Sequence, residues 1–355
     1  MEHRSAGFRQ VASTGILLVA ALIWGMCFVA QRSGMEHIGP FLFNGIRSLL
    51  GSMTILTILL LVLLVAHIRA GSKHAKLADG RQQEQHSWEQ RMPSGQGMTA
   101  PLSSLRHPIG LKYILAAGVF CGIALYFASN LQQIGLVYVT ASKSAFITTL
   151  YIVLVPVLGL LFRQRARWNT WVSVVIAVVG LYMLCMGDSN MLELGDAVLL
   201  AGALFWAIHI LAVGHYAPRL SFKQLLGFCV AQFMVSGVLS FTCAPLFDHL
   251  FVAANVTMES IALVAPELLY AGILSTGGAF TLAAIGQRYA KPAPAAIVMS
   301  TESVFGLLGG VVLLGEALSF LEGIGCILML AAVILTQLDF PVRKARKRGD
   351  PAAAY

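Results

Sequence analysis

ALIWG at residues 21–25 and ALFWA at residues 203–207 are one signature written twice, 182 positions apart. Each opens an apolar stretch of about 20 residues, enough to cross a hydrocarbon core. Four further apolar stretches follow in each half. An odd number of crossings per half obliges the second half to start on the opposite side of the bilayer. The expected fold class is therefore all-α: a polytopic membrane protein whose ten transmembrane helices form two inverted five-helix repeats.

Composition agrees. The chain of 355 residues is 57% hydrophobic and 11% charged, where a soluble domain carries roughly 25% charged residues. Ten spans are expected at 11–31, 40–65, 111–131, 140–162, 168–187, 194–214, 223–246, 261–286, 294–314 and 318–338. The first repeat then covers 11–187 and the second 194–338, with a basic tail at 339–355. Residues 15–30 run into a complete span without an A-x-A-like cleavage site, and are read as a retained first helix. The segment 66–110 is rich in Gln, Ser, Gly and charge, and too poor in aliphatic residues to offset its ordering entropy. It is expected to be a flexible cytoplasmic loop.

With the N-terminus placed in the cytoplasm, 21 of the 24 Lys and Arg residues fall on the cytoplasmic side. Arg32 and Lys143 lie at the outer side and Arg47 within a span. This bias puts both termini inside, in an inner or plasma membrane. It also accounts for the net charge of +8: the basic residues are anchors beside anionic lipid, not a nucleic-acid surface. Lipid and a small molecule are the expected partners, for a monomer or a homodimer.

Enzymatic motifs are missing. The six cysteines lie in apolar stretches without C-x-x-C spacing, which excludes a disulfide framework and a cysteine metal site. There is no Gly-rich phosphate loop, no H-E-x-x-H and no nucleophile elbow. No catalytic residue, metal or cofactor is expected.

Five segments carry a family resemblance: LIWGMCFVA at 22–30, PFLFNGIRSLL at 40–50, SNLQQIGLVYVTASKSAFITTLYIVLVPVLGLLF at 129–162, GDAVLLAGALFWA at 195–207 and AAIVMSTESVFGLLGGVVLLGE at 295–316. In these the chain resembles EamA-type members of the drug/metabolite transporter superfamily. It departs in three places. Arg163-Gln164 stands where a Gly-Glu is expected, Ser303 where many relatives have proline, and the 66–110 loop is longer than usual. The resemblance implies a central cavity built by spans 1–4 and 6–9, with spans 5 and 10 peripheral. It also implies alternating access driven by a substrate gradient or by proton exchange.

A charge in mid-span costs on the order of 3 kcal/mol, so intramembrane polar groups are candidate contacts. Glu302, about eight residues into its span, is the candidate for a cationic group or a coupled proton. Lys143 and Arg47 are candidate anion contacts, against the simpler readings of snorkelling and helix anchoring. Trp24 and Trp206 occupy equivalent repeat positions and are candidate cavity walls, and His209 lies near Trp206 on one helix face. Asn44, Tyr126, Asn130, Gln132 and Tyr270 are candidate orienting hydrogen-bond groups. Gly277-Gly278 and the Lys291–Pro294 stretch are candidate hinges.

The function expected is secondary active or facilitative transport of a small metabolite, with export of amino-acid-like or drug-like compounds leading. An importer or exchanger of a nucleotide-like or cofactor-like metabolite is the alternative within transport. A non-transporting scaffold or embedded enzyme is the alternative outside it.

Overall fold

In the computed structural model the described residues are 2–35, 37–88, 110–139, 141–161, 163–164, 166–184, 194–251, 256–314 and 319–338. Among them there is helix and no strand. The helices are α1 (Glu2–Gly34), α2 (Pro40–Trp88), α3 (Leu111–Tyr138), α4 (Ala141–Thr149), α5 (Tyr151–Leu161), α6 (Trp168–Leu184), α7 (Leu194–Tyr216), α8 (Phe222–Phe247), α9 (Met258–Leu263) and α10 (Ala265–Leu269). A π-helix (Tyr270–Ala279) follows, then α11 (Phe280–Gly286), α12 (Pro292–Met299), α13 (Glu302–Leu314) and α14 (Phe320–Gln337). Among the described residues seven helices are long and apolar enough to cross a membrane. Three shorter apolar helices, Trp168–Met183, Pro292–Leu308 and Phe320–Thr336, fall on the stretches expected at 168–187, 294–314 and 318–338.

Helix α2 continues through Trp88, into the segment expected to be a flexible loop. Residues 89–109 and the tail 339–355 lie outside the described residues.

Two stretches expected to be single spans are interrupted. Helix α4 gives way to α5 at Leu150, and α12 to α13 at Ser300-Thr301. At the second break the hydroxyls of Ser300 and Thr301 donate to the carbonyls of Ile297 (2.8 Å) and Val298 (2.7 Å), and Ser303 Oγ donates to Ser300 O (2.9 Å). Carbonyls freed in a low-dielectric setting need such donors. The break thus forms with serine at 303, whose N–H, which a proline would lack, donates to Ser300 O (3.3 Å).

Helices pack in pairs. α1 lies on α13 and on the π-helix and α11; α4 and α5 lie on α7, and α7 on α3; α2 and α3 lie on α8, and α2 on the π-helix. α6 and α14 lie on each other. The α1–α13 crossing brings backbones together at Gly25. A Cβ there would meet the Glu302 carbonyl oxygen, and would sit 2.7 Å from Gly306 N and 2.8 Å from Phe305 Cβ.

Two residues past the end of α5, Arg163 has φ 57°, in the left-handed region, while Gln164 N donates to Gly159 O (2.8 Å) to close the helix. Glycine is the residue suited to that position, and this is the site where the family pattern has one. Arg163→Gly is expected to stabilise the protein by about 1 kcal/mol, read as a higher melting temperature of the purified protein. A drop in melting temperature would mean that the arginine side chain contributes more than its backbone strain costs.

Candidate functional site

The helix pairs leave a central cavity of about 660 Å³, counting the part open to solvent. Its wall draws on α1, α2, α3, α4, α5, α7, the π-helix, α11, α12 and α13, with no residue from α6 or α14.

Two ionisable side chains from apolar helices face this space. Arg47 is 4% exposed and Glu302 7% exposed, and both line the cavity. Glu302 occupies the first position of α13, just after the Ser300-Thr301 break. Tyr151 occupies the first position of α5, just after the Leu150 break, and its hydroxyl donates to Glu302 Oε1 (3.2 Å). The two helix interruptions therefore meet in one hydrogen bond. Arg47 Nε has no hydrogen-bond partner.

Arg47 Nε is not alone. Trp24 Nε1, Gln31 Oε1, Thr148 Oγ1 and Gln287 Oε1 also line the cavity, buried and without a partner. Buried polar atoms are rarely left unpaired, and each costs about 1–3 kcal/mol. Five such atoms belong to residues around this one space.

The rest of the wall is aromatic. Phe280 stands between the two tryptophans, 4.7 Å from Trp24 in an edge contact and 5.7 Å from Trp206 in a stacked one. Trp206 Nε1 donates to Gln132 Oε1 (2.8 Å), and His209 Nε2 donates to Gln232 Oε1 (3.0 Å). These bonds fix the indole and imidazole planes.

Of the candidates, Trp24, Arg47, Trp206, His209 and Glu302 come together here, with Gln132. Four others are placed elsewhere. Asn44 Nδ2 donates to Ser129 O (3.0 Å) and to Asn130 Oδ1 (3.1 Å), and Asn130 Nδ2 donates to Tyr126 O (2.8 Å) and Ser240 Oγ (2.7 Å). These bonds tie α2, α3 and α8 together. Tyr126 OH donates to Cys243 Sγ (3.1 Å), and Tyr270 OH to Ile23 O (2.9 Å). Tyr126 and Asn130 line a separate groove with Phe41 and Phe247. Lys143 belongs to α4, and its side chain lies outside the described residues. Of the candidate hinges, Gly277-Gly278 lies in the π-helix, and Lys291 is the N-cap of α12.

Sequence reasoning missed Tyr151, Gln31, Gln287 and Phe280. Tyr151 had a signal, because it lies in the 129–162 segment that carries the resemblance. Phe280 had none: it is an apolar residue in an apolar stretch. Among the described residues no group of three or more His, Cys, Asp or Glu is placed to hold a metal.

Beyond the cavity along α7 and α11 lies a wider vestibule, about 1710 Å³ counting its open mouth. Val213 and Gln287 line the cavity, while the next residues, Gly214 and Arg288, line the vestibule. At the opposite end, α1 is tied down by Arg32 Nη1 donating to Val139 O (3.2 Å), Ser33 Oγ to Glu267 Oε1 (3.3 Å), and Gln133 Nε2 to Gln31 O (3.3 Å).

The EamA-like transporter family matches this chain over residues 97–186 and 193–338. An uncharacterized transporter of Archaeoglobus fulgidus is 28% identical, over 93% of this chain and 87% of its own length. A probable amino-acid metabolite efflux pump of Salmonella typhimurium is 22% identical, over 94% of this chain and 97% of its own. A solved crystal structure, 18% identical, superposes with a TM-score of 0.61 over 91% of this chain and 95% of its own, a likeness of fold.

Proposed function

Since the chain belongs to the EamA-like transporter family and is a multi-pass membrane protein, we propose that it carries a small zwitterionic, amino-acid-like metabolite by alternating access. The observation that carries this reading is that one basic residue, Arg47, and one acidic residue, Glu302, line the same aromatic-walled cavity. A carboxylate on the guanidinium and an ammonium on Glu302 would satisfy both, and the aromatic wall suits the apolar remainder of such a molecule. Export is the favoured direction, supported by the name of the Salmonella relative. Glu302 is the proposed proton-coupling residue.

The two-repeat architecture belongs to the same proposal. Exchanging the halves maps the α1–α13 pair onto α4/α5–α7, and the α2–π-helix pair onto α3–α8. It also maps the break at Leu150 onto the one at Ser300-Thr301. Both termini are placed in the cytoplasm of a cell-membrane protein, on the distribution of Lys and Arg.

The test is counterflow in proteoliposomes with radiolabelled amino acids, their methyl esters and their N-acetyl derivatives. Free amino acids are expected to exchange and both blocked forms to fail. Arg47→Ala at matched abundance is expected to raise KM by roughly 10–100-fold, the loss of one charge-assisted hydrogen bond. Equal transport of the esters, or an unchanged KM in Arg47→Ala, would remove the zwitterion reading.

A further inference from the structure

The vestibule is lined by Arg167 before α6, Arg288 after α11 and Lys291 at the N-cap of α12. Among the described residues no acidic side chain lines it. We propose that this vestibule is a second binding site, specific for small anions and above all for carboxylates, which collects them ahead of the central cavity.

Basic residues at the cytoplasmic ends of spans are ordinary anchors when they reach into lipid headgroups. These three instead border one concave space with low-dielectric walls, and such a space focuses the field of like charges and concentrates counter-ions. The wall also contains a hydrogen-bond donor with nothing to do. Thr336 lines the vestibule, is 7% exposed, and its Oγ1 has no partner. A buried hydroxyl left unpaired beside a solvent-open, positively charged space is a ready donor to an oxyanion. The first turn of α12 adds little, because Pro292 and Pro294 lack N–H groups. Recognition therefore falls to the side chains. Gln10, Thr14 and Gln164 supply further polar atoms around the mouth.

The role as an antechamber rests on the transport reading above, but anion binding does not, so the two can fail separately. Binding is measured on full-length protein in phosphatidylcholine nanodiscs, with no gradient, using radiolabelled succinate as the probe. Saturable binding is expected, displaced by inorganic phosphate and not by choline. The double variant Arg288→Gln/Lys291→Gln is expected to weaken it at least roughly tenfold, and Thr336→Val by a smaller factor, with melting temperatures near that of the wild type. Nanodiscs of phosphatidylglycerol separate the two sources of the anion. Loss of succinate binding there assigns the site to a lipid headgroup, and its persistence assigns it to a soluble carboxylate. Absence of saturable binding by the wild type, or unchanged affinity in the double variant, would overturn the proposal.

Discussion

Replacing Glu302 with Gln is expected to lower flux by at least roughly 100-fold while leaving the protein in the membrane at its normal abundance. The two side chains have the same shape, and Gln still accepts the hydrogen bond that the Tyr151 hydroxyl now donates to Glu302. What disappears is the ionisable carboxyl in the cavity and the proton it can exchange. Uptake into proteoliposomes across a range of pH is the measurement: a pH-dependent flux in the wild type, and a small, flat residue in Glu302→Gln. Tyr151→Phe is the companion. It keeps the charge and removes the clamp, so flux falls by a smaller factor and the pH profile moves instead of vanishing. Wild-type flux and pH dependence in Glu302→Gln would reduce the residue to a packing group. Loss of abundance in that variant would make it part of assembly, and would favour a scaffold over a carrier.

The second large effect concerns Gly25. Its neighbours across the α1–α13 crossing are backbone atoms of Glu302 and Gly306, with Phe305 Cβ beside them. Backbone cannot swing aside as the end of a side chain can, so any larger residue must push the helices apart. Crossings of this kind in membranes depend on small residues. Gly25→Val is expected to cost about 3 kcal/mol, with lower abundance and a lower melting temperature, and Gly25→Ala to fall between. The same wedge would displace Glu302 from Tyr151, so whatever Gly25→Ala protein survives should also transport poorly. Normal stability of Gly25→Val would mean that α1 and α13 do not cross where they are placed here.

Much of this was legible because lipid makes simple demands. Apolar length alone located the seven helices that are long and apolar enough to cross, and a charge in an apolar stretch has to face something polar. Arg47 and Glu302 were found on that ground, and both line the cavity. The tryptophans were found because the signature around them repeats. Asn44 and Asn130 met the same polarity criterion, yet Asn44 Nδ2 and the Asn130 amide bond between α2, α3 and α8 instead of lining the cavity. Sequence gives no way to tell a polar residue that bonds a neighbouring helix from one that bonds a guest. The helix breaks were hidden for a related reason. The Ser300 and Thr301 hydroxyls donate to the carbonyls of Ile297 and Val298, one turn back, so neither proline nor glycine marks the spot. The ten-residue π-helix covers the Gly277-Gly278 pair that was read as a hinge, but nothing in the residue pattern distinguishes i→i+5 from i→i+4 bonding.

Helix α14 has a consequence of its own. Ser319 and Glu322 form a reciprocal cap at its start, and the chain turns to extended backbone at Leu338. Its 18 residues are therefore fixed at both ends, and at 1.5 Å each they span about 27 Å. That is some 3 Å less than the average hydrocarbon core. Among the described residues α14 and its companion α6 contribute nothing to the central cavity and line only the vestibule, through Thr336 and Thr170, so they border the carrier as a collar. As a span, such a collar would match a thin bilayer. In thicker membranes it must draw the lipid inward or tilt less than its neighbours, and acyl-chain length becomes a setting for the carrier as real as any ligand.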